Sequence, residues 1–289
     1  MDDTTNKRPG DSGREPIYRN RVSVSPPNHN RSLAAGIDAE DDNPLLLYEN
    51  GPVSKEIIGE DHRQLVINTE VVPYCTVCAL LMTAADGTGL GGTGTFIGRR
   101  TIATAGHNLY DPKYGGCMKT VVVIPGRNRA REPFSRYSAC KTDVIPAWKN
   151  RGDTHYDCGV IFLDQDPVDA LGRPLGEWMT FAERPDEQIS GIKVNNLGYP
   201  MDRDPTFSTM YQDSSPIEDF DAYTLSYTLG TKGGNSGGPV FQYRPASDPR
   251  QSEYMMLGIH TYGSRSENSA TRINSHIFDW LSYWQGRGG

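Results

Sequence analysis

The stretch TKGGNSGGPV, from Thr231 to Val240, is the most informative segment of the sequence. Its serine, Ser236, is flanked by glycines on both sides, and glycine lets the backbone adopt unusual geometry and approach a bound carbonyl group. The peptide N–H groups of Gly234 and Ser236 are expected to point into one small space, where they would stabilise the oxyanion of a tetrahedral intermediate. The alternative interpretation is a glycine-rich turn between two strands.

A serine hydroxyl is a poor nucleophile at neutral pH and needs a nearby base. Of the six histidines, His107 is the best candidate, because in TIATAGHNLYD it follows a strand-forming segment and a turn of small residues. This placement would hold the imidazole at the mouth of a cleft. A structural histidine is the default interpretation elsewhere in a chain, and the Ser236 motif downstream reverses that default here.

The base in turn needs an acid that fixes its tautomer and stabilises the imidazolium. Asp157, in THYDCGVIFL, directly precedes an apolar strand and is expected to be buried and oriented. Asp153 competes with it, but its position in the polar segment RGDTH favours a solvated turn residue. The chain order His, Asp, Ser matches the chymotrypsin arrangement and neither subtilisin nor the α/β-hydrolases.

Composition supports an all-β class with a buried core. The 289 residues are 36% hydrophobic, and 31 glycines and 20 prolines separate short strand-forming runs. Only INSHIFDWLSYW near the end has the three-to-four spacing of an amphipathic helix. We therefore predict a chymotrypsin-like double β-barrel that ends in a helix.

Charge and hydropathy exclude several partners and classes. A net charge of −7 without a clustered basic surface argues against nucleic acid. No apolar run has the length of a membrane span, and the polar first thirty residues lack the apolar core of a signal peptide. The sequence indicates no cofactor and no metal site, although a structural calcium ion stays an open question.

The five cysteines do not describe a disulfide framework, because an odd count leaves at least one thiol unpaired. Cys75 and Cys78 form a C-x-x-C pair, but VVPYCTVCALLM is predicted to be a strand, whose residues three apart point to opposite faces. This favours structural cysteines over a zinc site. Cys140 and Cys158 are candidates for a disulfide between neighbouring strands, but the sequence does not show the distance between them.

We predict three parts along the chain. Residues 1–55, rich in Asn, Asp, Arg, Ser and Pro, form a flexible leader or pro-segment that is disordered or loosely packed. Residues 56–175 form an N-terminal barrel with His107 and Asp157, and residues 176–289 form a C-terminal barrel with Ser236, the substrate pocket and the helix.

Residues 56–285 resemble the glutamyl endopeptidases, chymotrypsin-fold serine proteases that cut after acidic residues. The resemblance rests on several motifs in the same order: IIGEDHRQLVINTEVVPY, TIATAGHNLYD, VIPGRN, YDCGVIFL, TKGGNSGGPVF, GIHTYG and TRINSHIFDWL. It implies a serine endopeptidase that acts on protein or peptide substrates with acidic residues, is made as a zymogen and is usually secreted. Because no signal peptide is visible, a cytoplasmic location stays possible.

The primary pocket (S1) can be interpreted from three positions. The position six before Ser236 holds an aspartate in trypsin-type enzymes and Gly230 here, so a pocket for Arg or Lys is not expected. Thr231 and His260 can both donate hydrogen bonds to a carboxylate. The resemblance places Thr and His at these positions to bind the substrate's acidic side chain, which implies cleavage after Glu and less readily after Asp.

Activation is expected to differ from that of pancreatic proteases. Asn235 stands where those enzymes have an aspartate that pairs with the new amino terminus, and a neutral amide cannot form that ion pair. The resemblance places the mature amino terminus at Glu56, near the substrate pocket, after cleavage by an activating protease at Lys55. Self-cleavage after Glu56, which exposes Ile57, is the alternative.

Two features separate the chain from neighbouring interpretations. Secreted relatives often bracket the catalytic histidine with a disulfide, and here those places hold Thr93 and Asn108. One alternative is the high-temperature-requirement proteases, whose C-terminal peptide-binding module has no counterpart in these residues. The other is a catalytically silent protease-like binding module, which intact candidates at His107, Asp157 and Ser236 argue against.

Overall fold

The computed structural model describes residues 57–244, 253–264 and 266–287. The predicted leader, the predicted cleavage site at Lys55 and the predicted mature terminus Glu56, which is also the alternative site of self-cleavage, lie outside the described residues. The described chain is all-β, with two curled sheets, a two-stranded ribbon and two helices.

The first sheet has seven strands and forms a curled half-barrel in the order β8-β7-β2-β3-β4-β10-β9. All of its pairings are antiparallel, so the chain winds through hairpins and short crossovers. Its strands are β2 (Val77–Thr83), β3 (Gly89–Phe96), β4 (Thr101–Thr104), β7 (Thr120–Pro125), β8 (Tyr137–Ser138), β9 (Lys141–Val144) and β10 (Gly159–Phe162). The ribbon pairs β5 (Tyr110–Asp111) with β6 (Gly116–Cys117).

The second sheet closes on itself as a six-stranded barrel, because β14 pairs with both β13 and β17. Its strands are β12 (Lys193–Gly198), β13 (Tyr211–Phe220), β14 (Thr224–Tyr227), β15 (Pro239–Arg244), β16 (Glu253–Gly263) and β17 (Asn268–Arg272). Two short strands add to it: β1 (Gln64–Leu65) pairs with β13, and β11 (Thr180–Phe181) runs parallel to β16. The amino-terminal end of the described chain thus joins the second sheet.

Three apolar clusters fill the molecule. One lies in the first sheet and one in the second, while the third contains buried residues from both sheets, including Val77, Val160, Tyr199 and Ile259. Burial of apolar surface contributes about 25 cal/mol per Å², so this shared cluster stabilises the contact between the barrels.

Helix α2 (Ser275–Gln285) confirms the predicted C-terminal helix. The Asn274 side chain caps its first turn by accepting a hydrogen bond of 3.1 Å from the Ile277 N–H. Ile277 and Leu281 are fully buried, and the Gln285 side chain donates to the Ile97 carbonyl of the first half of the chain. The other helix, α1 (Pro146–Arg151), has a single turn and a half, and neither described helix is long and apolar enough to span a membrane.

Some local predictions were wrong. The run LVINTEVV (65–72), rich in β-branched residues, predicts a strand, but strand structure ends at Leu65 and Ile67 is 82% exposed. Cys75 lies in a 3-10 turn (Tyr74–Thr76) before β2, and its side chain joins the same core cluster as Cys78, so the two thiols do not face opposite sides. Burial raises the pKa of the Cys75 thiol to about 12 and that of Cys78 further, which keeps both protonated.

The proposed Cys140–Cys158 bridge is also absent, since all five cysteines are free thiols. In the β9–β10 pair, Lys141 lies opposite Phe162 and Val144 opposite Gly159. Cys140 therefore precedes one end of this ladder and Cys158 the other. Their positions at opposite ends explain why the two thiols do not meet.

Candidate active site

His107 and Asp157 come together because they flank a pair of neighbouring antiparallel strands. β4 leads into the 3-10 turn that contains His107, and Asp157 stands two residues before β10. Thr104 at the end of β4 lies opposite Gly159 at the start of β10. The sequence therefore places both side chains at the same edge of the first sheet.

The Asp157 carboxylate is fully buried and bound twice to His107. Oδ1 accepts the His107 backbone N–H at 2.8 Å, and Oδ2 lies 2.7 Å from His107 Nδ1. Burial alone would raise the pKa of Asp157, but the charge and hydrogen bonds of His107 outweigh it and hold the pKa below its usual range. Gly106 permits this approach, because a Cβ there would lie 3.0 Å from Asp157 Oδ1.

Ser236 completes a continuous chain of hydrogen bonds. Its Oγ lies 2.8 Å from His107 Nε2, the ring nitrogen that Asp157 does not contact. The His107 side chain is 23% exposed, whereas Asp157 is sealed from solvent. In such an arrangement the imidazole can accept a serine proton while a carboxylate stabilises the resulting charge. Asp153, the competing acid, instead caps the 3-10 turn Thr154–Tyr156.

The loop around Ser236 needs glycine at two positions, because each has a positive φ and leaves no room for a Cβ. Gly234 has φ +97°, and a Cβ there would lie 2.2 Å from the Tyr199 carbonyl oxygen. Gly237 has φ +86°, and its Cβ would lie 2.1 Å from both Thr104 Oγ1 and the Thr93 carbonyl oxygen. The Gly234 N–H donates to no backbone carbonyl of the described residues. The geometry at this loop is therefore compatible only with glycine.

Thr93 and Asn108 hold this loop from the first sheet. Thr93 Oγ1 donates to the Gly234 carbonyl at 2.7 Å, and the Thr93 N–H donates to the Ser236 carbonyl at 2.8 Å. Asn108 Nδ2 donates to the same Ser236 carbonyl at 2.9 Å. In the sequence, these two positions are notable only for lacking a disulfide. The structure shows polar contacts across the two barrels at the same places.

The predicted pocket residues lie around the same loop. Thr231 is fully buried, and its hydroxyl has no hydrogen-bond partner within the described chain. His260 is fully buried on β16, where its backbone N–H donates to the Gly238 carbonyl and its carbonyl accepts from the Gly237 N–H. The His260 ring Nδ1 lies 2.7 Å from the Tyr227 hydroxyl.

Gly230 has charged neighbours that sequence analysis missed. Its N–H donates to Asp213 Oδ2 at 2.7 Å, and a Cβ would lie 3.2 Å from Arg63 Cγ. The Arg63 side chain is only 1% exposed and pairs with Asp61 and Asp202, at 2.9 and 2.7 Å. Arg63 is distant in sequence from Asp202 and Gly230, and no local motif indicates that these residues meet.

Tyr262 is a further neighbour that no motif predicted. Its ring centroid lies 5.9 Å from that of His107. Its hydroxyl is buried near the Asp157 carboxylate but outside ordinary hydrogen-bond geometry. Burial raises the pKa of Tyr262 well above its usual value, and the negative charge of Asp157 makes a smaller contribution in the same direction.

Comparison with known proteins identifies the family. Over 234 residues the chain is 34% identical to a glutamyl endopeptidase of Bacillus licheniformis, and the match covers 80% of this chain and 69% of the relative. The chain belongs to the glutamyl endopeptidase family. A glutamyl endopeptidase of Staphylococcus aureus is 24% identical over 239 residues, which cover 82% of this chain and 66% of the relative. No family model matches the chain.

Solved structures agree with the family fold. A Glu endopeptidase in complex with MPD superposes with a TM-score of 0.65 at 22% identity, covering 80% of this family member and 99% of that chain. A thermostable serine protease, AL20, gives 0.62 at 17% identity, covering 73% and 97%. This glutamyl endopeptidase family member is thus a serine endopeptidase of the chymotrypsin fold, as predicted.

One similar relative carries a different name. An extracellular metalloprotease of Bacillus subtilis is 33% identical over 229 residues, covering 79% of this family member and 69% of the relative. In the described part of the present family member, no group of three or more His, Cys, Asp or Glu residues is arranged to hold a metal ion.

Proposed function

We propose that this endopeptidase cleaves peptide bonds after Glu, and less readily after Asp, with Ser236 as nucleophile, His107 as base and Asp157 as the orienting acid. The observation that carries the assignment is the unbroken chain of hydrogen bonds from Asp157 Oδ2 through both ring nitrogens of His107 to Ser236 Oγ. The Asp157 carboxylate accepts the hydrogen bond from His107 Nδ1–H, which leaves Nε2 to accept the serine proton.

The reaction divides into two acyl transfers. Ser236 Oγ bonds to the substrate carbonyl carbon while its proton passes to His107 Nε2, and the N–H groups of Gly234 and Ser236 hold the oxyanion. His107 then protonates the leaving amine as the peptide bond breaks, which forms an acyl-enzyme. Water, deprotonated by His107, attacks the ester and releases Ser236. Each oxyanion donor contributes about 3 to 4 kcal/mol of transition-state stabilisation.

Preference for an acidic side chain is supported by the Thr231 hydroxyl. A buried hydroxyl without a partner costs about 1 to 3 kcal/mol, and an entering carboxylate would satisfy it. His260 would supply a second donor to the same carboxylate. Gly230 places no charge of its own at the base of this pocket.

A preference for Lys or Arg is the second candidate, because the Asp213 carboxylate accepts the Gly230 N–H and so lies behind the pocket base. Two observations favour Glu over this alternative. The stem of Arg63 packs at the same place, and the Thr231 and His260 side chains offer donors that a cation cannot use. Cleavage data for matched substrates separate the two candidates.

We also propose that the chain is made as a zymogen and activated by cleavage after Lys55 or after Glu56. The Arg63 pairs with Asp61 and Asp202 support this proposal, since they fix the segment just after these sites next to Gly230. A new amino terminus at residue 56 or 57 would then start only a few residues from a segment anchored beside the pocket.

The test uses fluorogenic peptides that differ only in the residue before the cleaved bond, namely Glu, Asp, Gln, Lys or Leu. Protein with the intact leader and protein trimmed after Lys55 or after Glu56 are assayed in parallel, with Ser236→Ala as the control. We expect kcat/KM to be highest for Glu, and higher in a trimmed form. Faster cleavage after Lys would establish the second candidate, equal rates in all forms would remove zymogen activation, and turnover by Ser236→Ala would overturn the triad.

A further inference from the structure

A hydrogen bond between Tyr227 and His260 lies inside the second barrel, behind the proposed pocket. Tyr227 Oη is 2.7 Å from His260 Nδ1, and the ring centroids are 6.0 Å apart. Both residues are fully buried. Neither motif analysis nor the proposed reaction gives Tyr227 a role.

The barrel fixes the two side chains relative to each other. Tyr227, the last residue of β14, lies opposite Asn268 of β17. His260 of β16 lies opposite Ala270, which also belongs to β17. β17 thus stands between them and sets their separation. His260 is also tied to the nucleophile loop through its backbone bonds with Gly237 and Gly238.

The proton on the Tyr227 hydroxyl determines what His260 can do. Within the described residues, this hydroxyl has no hydrogen-bond acceptor other than His260 Nδ1. Its surroundings are apolar side chains such as Ile217, Leu229 and Leu257, and a buried hydroxyl proton without an acceptor is costly. Burial also raises the pKa of Tyr227 well above its usual value, so the hydroxyl keeps its proton.

Three proton arrangements are conceivable, and two give the same result. If Tyr227 donates to Nδ1, the neutral ring carries its proton on Nε2. If the ring is doubly protonated, Nε2 is again a donor. Only a neutral ring protonated on Nδ1 makes Nε2 an acceptor, and this state leaves the Tyr227 proton without a partner. The hydroxyl therefore selects against the one state in which His260 would repel a carboxylate.

We propose that Tyr227 is a positioning residue that holds His260 as an Nε2–H donor and thereby determines the preference for Glu over its neutral isostere Gln. This inference rests on the proposed function, which puts the substrate carboxylate at His260 and Thr231. Both carboxylate oxygens of Glu can accept a hydrogen bond from His260 Nε2–H. Gln has one oxygen and an N–H₂ group, and the N–H₂ group cannot accept a hydrogen bond from this donor. If Nε2 could instead act as an acceptor, kcat/KM for Gln would rise relative to that for Glu.

The kinetic test is Tyr227→Phe, which keeps the ring in the core and removes the hydroxyl. We expect KM for the Glu peptide to rise and the Glu:Gln ratio of kcat/KM to fall about tenfold, the lower end of what an unmatched buried polar group costs. The rate at which a small organophosphonate without an acidic group labels Ser236 should not change. A merely structural role would leave the Glu:Gln ratio intact.

Tyr137→Phe is the matched control. Tyr137 is also a buried tyrosine, in the first sheet, and its hydroxyl accepts one hydrogen bond of 3.0 Å from the Val168 N–H. Its loss should lower stability without changing the Glu:Gln ratio. If the two variants lose stability alike and both keep the wild-type ratio, the role of Tyr227 in specificity is overturned.

A second measurement does not depend on turnover. In full-length protein with Ser236→Ala and ¹⁵N-labelled histidine, long-range ¹H–¹⁵N spectra report which ring nitrogen carries the proton, and His260→Asn assigns the signal. We expect a protonated Nε2 for His260, and a shift toward the other tautomer in Tyr227→Phe. A ring protonated only on Nδ1 in the parent would overturn the tautomer assignment.

The two proposals fail in different ways. If the wild-type enzyme does not prefer Glu to Gln, the proposed substrate preference fails and the specificity role of Tyr227 fails with it. The tautomer measurement then still decides whether Tyr227 fixes His260. If the wild-type enzyme prefers Glu to Gln and Tyr227→Phe keeps the same Glu:Gln ratio, the proposed function stands and the role of Tyr227 in specificity fails.

Discussion

Replacing Thr93 with valine tests whether the first sheet holds the nucleophile loop in its active geometry. Valine has nearly the shape of threonine but lacks the hydroxyl that donates to the Gly234 carbonyl at 2.7 Å and accepts the Tyr199 N–H at 3.1 Å. Both bonds are buried. The Thr93 backbone bond to the Ser236 carbonyl is unaffected, so the substitution acts on Gly234 alone among the proposed oxyanion donors.

The magnitude follows from these two bonds. Each buried partner left without a hydrogen bond costs about 1 to 3 kcal/mol, so the loss of both bonds removes about 2 to 6 kcal/mol of support. Complete loss of one oxyanion donor lowers kcat by about 10² to 10³, and a displaced donor must cost less. We therefore expect kcat of Thr93→Val to fall by about ten- to a hundredfold with little change in KM, together with a lower midpoint in urea.

Steady-state kinetics on one good peptide and urea unfolding of the same preparations provide the assay. Thr95→Val is the matched control, since Thr95 lies on the same strand, is equally buried, and its hydroxyl has no hydrogen-bond partner in the described residues. This control should keep kcat and lose no stability. Should Thr93→Val be destabilised while its kcat equals that of Thr95→Val, the contact supports the fold and does not position the oxyanion loop.

Two further predictions concern charge. Gly230→Asp should not create cleavage after Lys, because the new Cβ would lie 3.3 Å from Asp213 Oδ2 and 3.2 Å from Arg63 Cγ. We expect a lower Tm and loss of cleavage after Glu. Rapid cleavage after Lys would contradict the described pocket base. Asp204 is the second case: burial raises its pKa, but hydrogen bonds from Ser208, Thr206 and Thr209 hold it below its usual range. Its folded pKa is thus below the unfolded value of about 3.9, so its stabilisation is present above that pH and is lost as pH falls through the folded value. Urea unfolding between about pH 5 and 2 should show this loss in wild type and a smaller loss in Asp204→Asn; identical slopes would contradict it.

The parts of the site that the sequence predicted are those governed by local patterns. TIATA became β4 and placed His107 at its end, CGVIFL supplied β10 after Asp157, and the glycines around Ser236 formed a loop with positive φ at Gly234 and Gly237. Each of these signals depends on residues close together in the chain. The spacing of apolar residues likewise predicted α2.

Other features depend on contacts between distant segments and left no local signal. The sequence of β13, YQDSSPIEDF, shows no apolar alternation, because most of its side chains are only partly buried. This strand nevertheless closes the second barrel by pairing with β14. Arg63 meets Asp202, 139 residues later, and Thr93 meets Gly234, 141 residues later. Such pairs follow from strand order and register, which the sequence does not state.

Helix α2 also bears on the order in which the enzyme can be completed during synthesis. Ile277 and Leu281 share a buried cluster with Ile97, Ala103 and Phe162, although about 180 residues separate Ile97 from Ile277. At about 5 to 20 residues per second, the ribosome needs about 10 to 40 s to make that interval. During this time the first sheet has an uncovered apolar face. The nascent chain therefore gains a sealed first sheet only after Ser236 has already been made, so both halves of the candidate active site mature together once helix α2 has been synthesised.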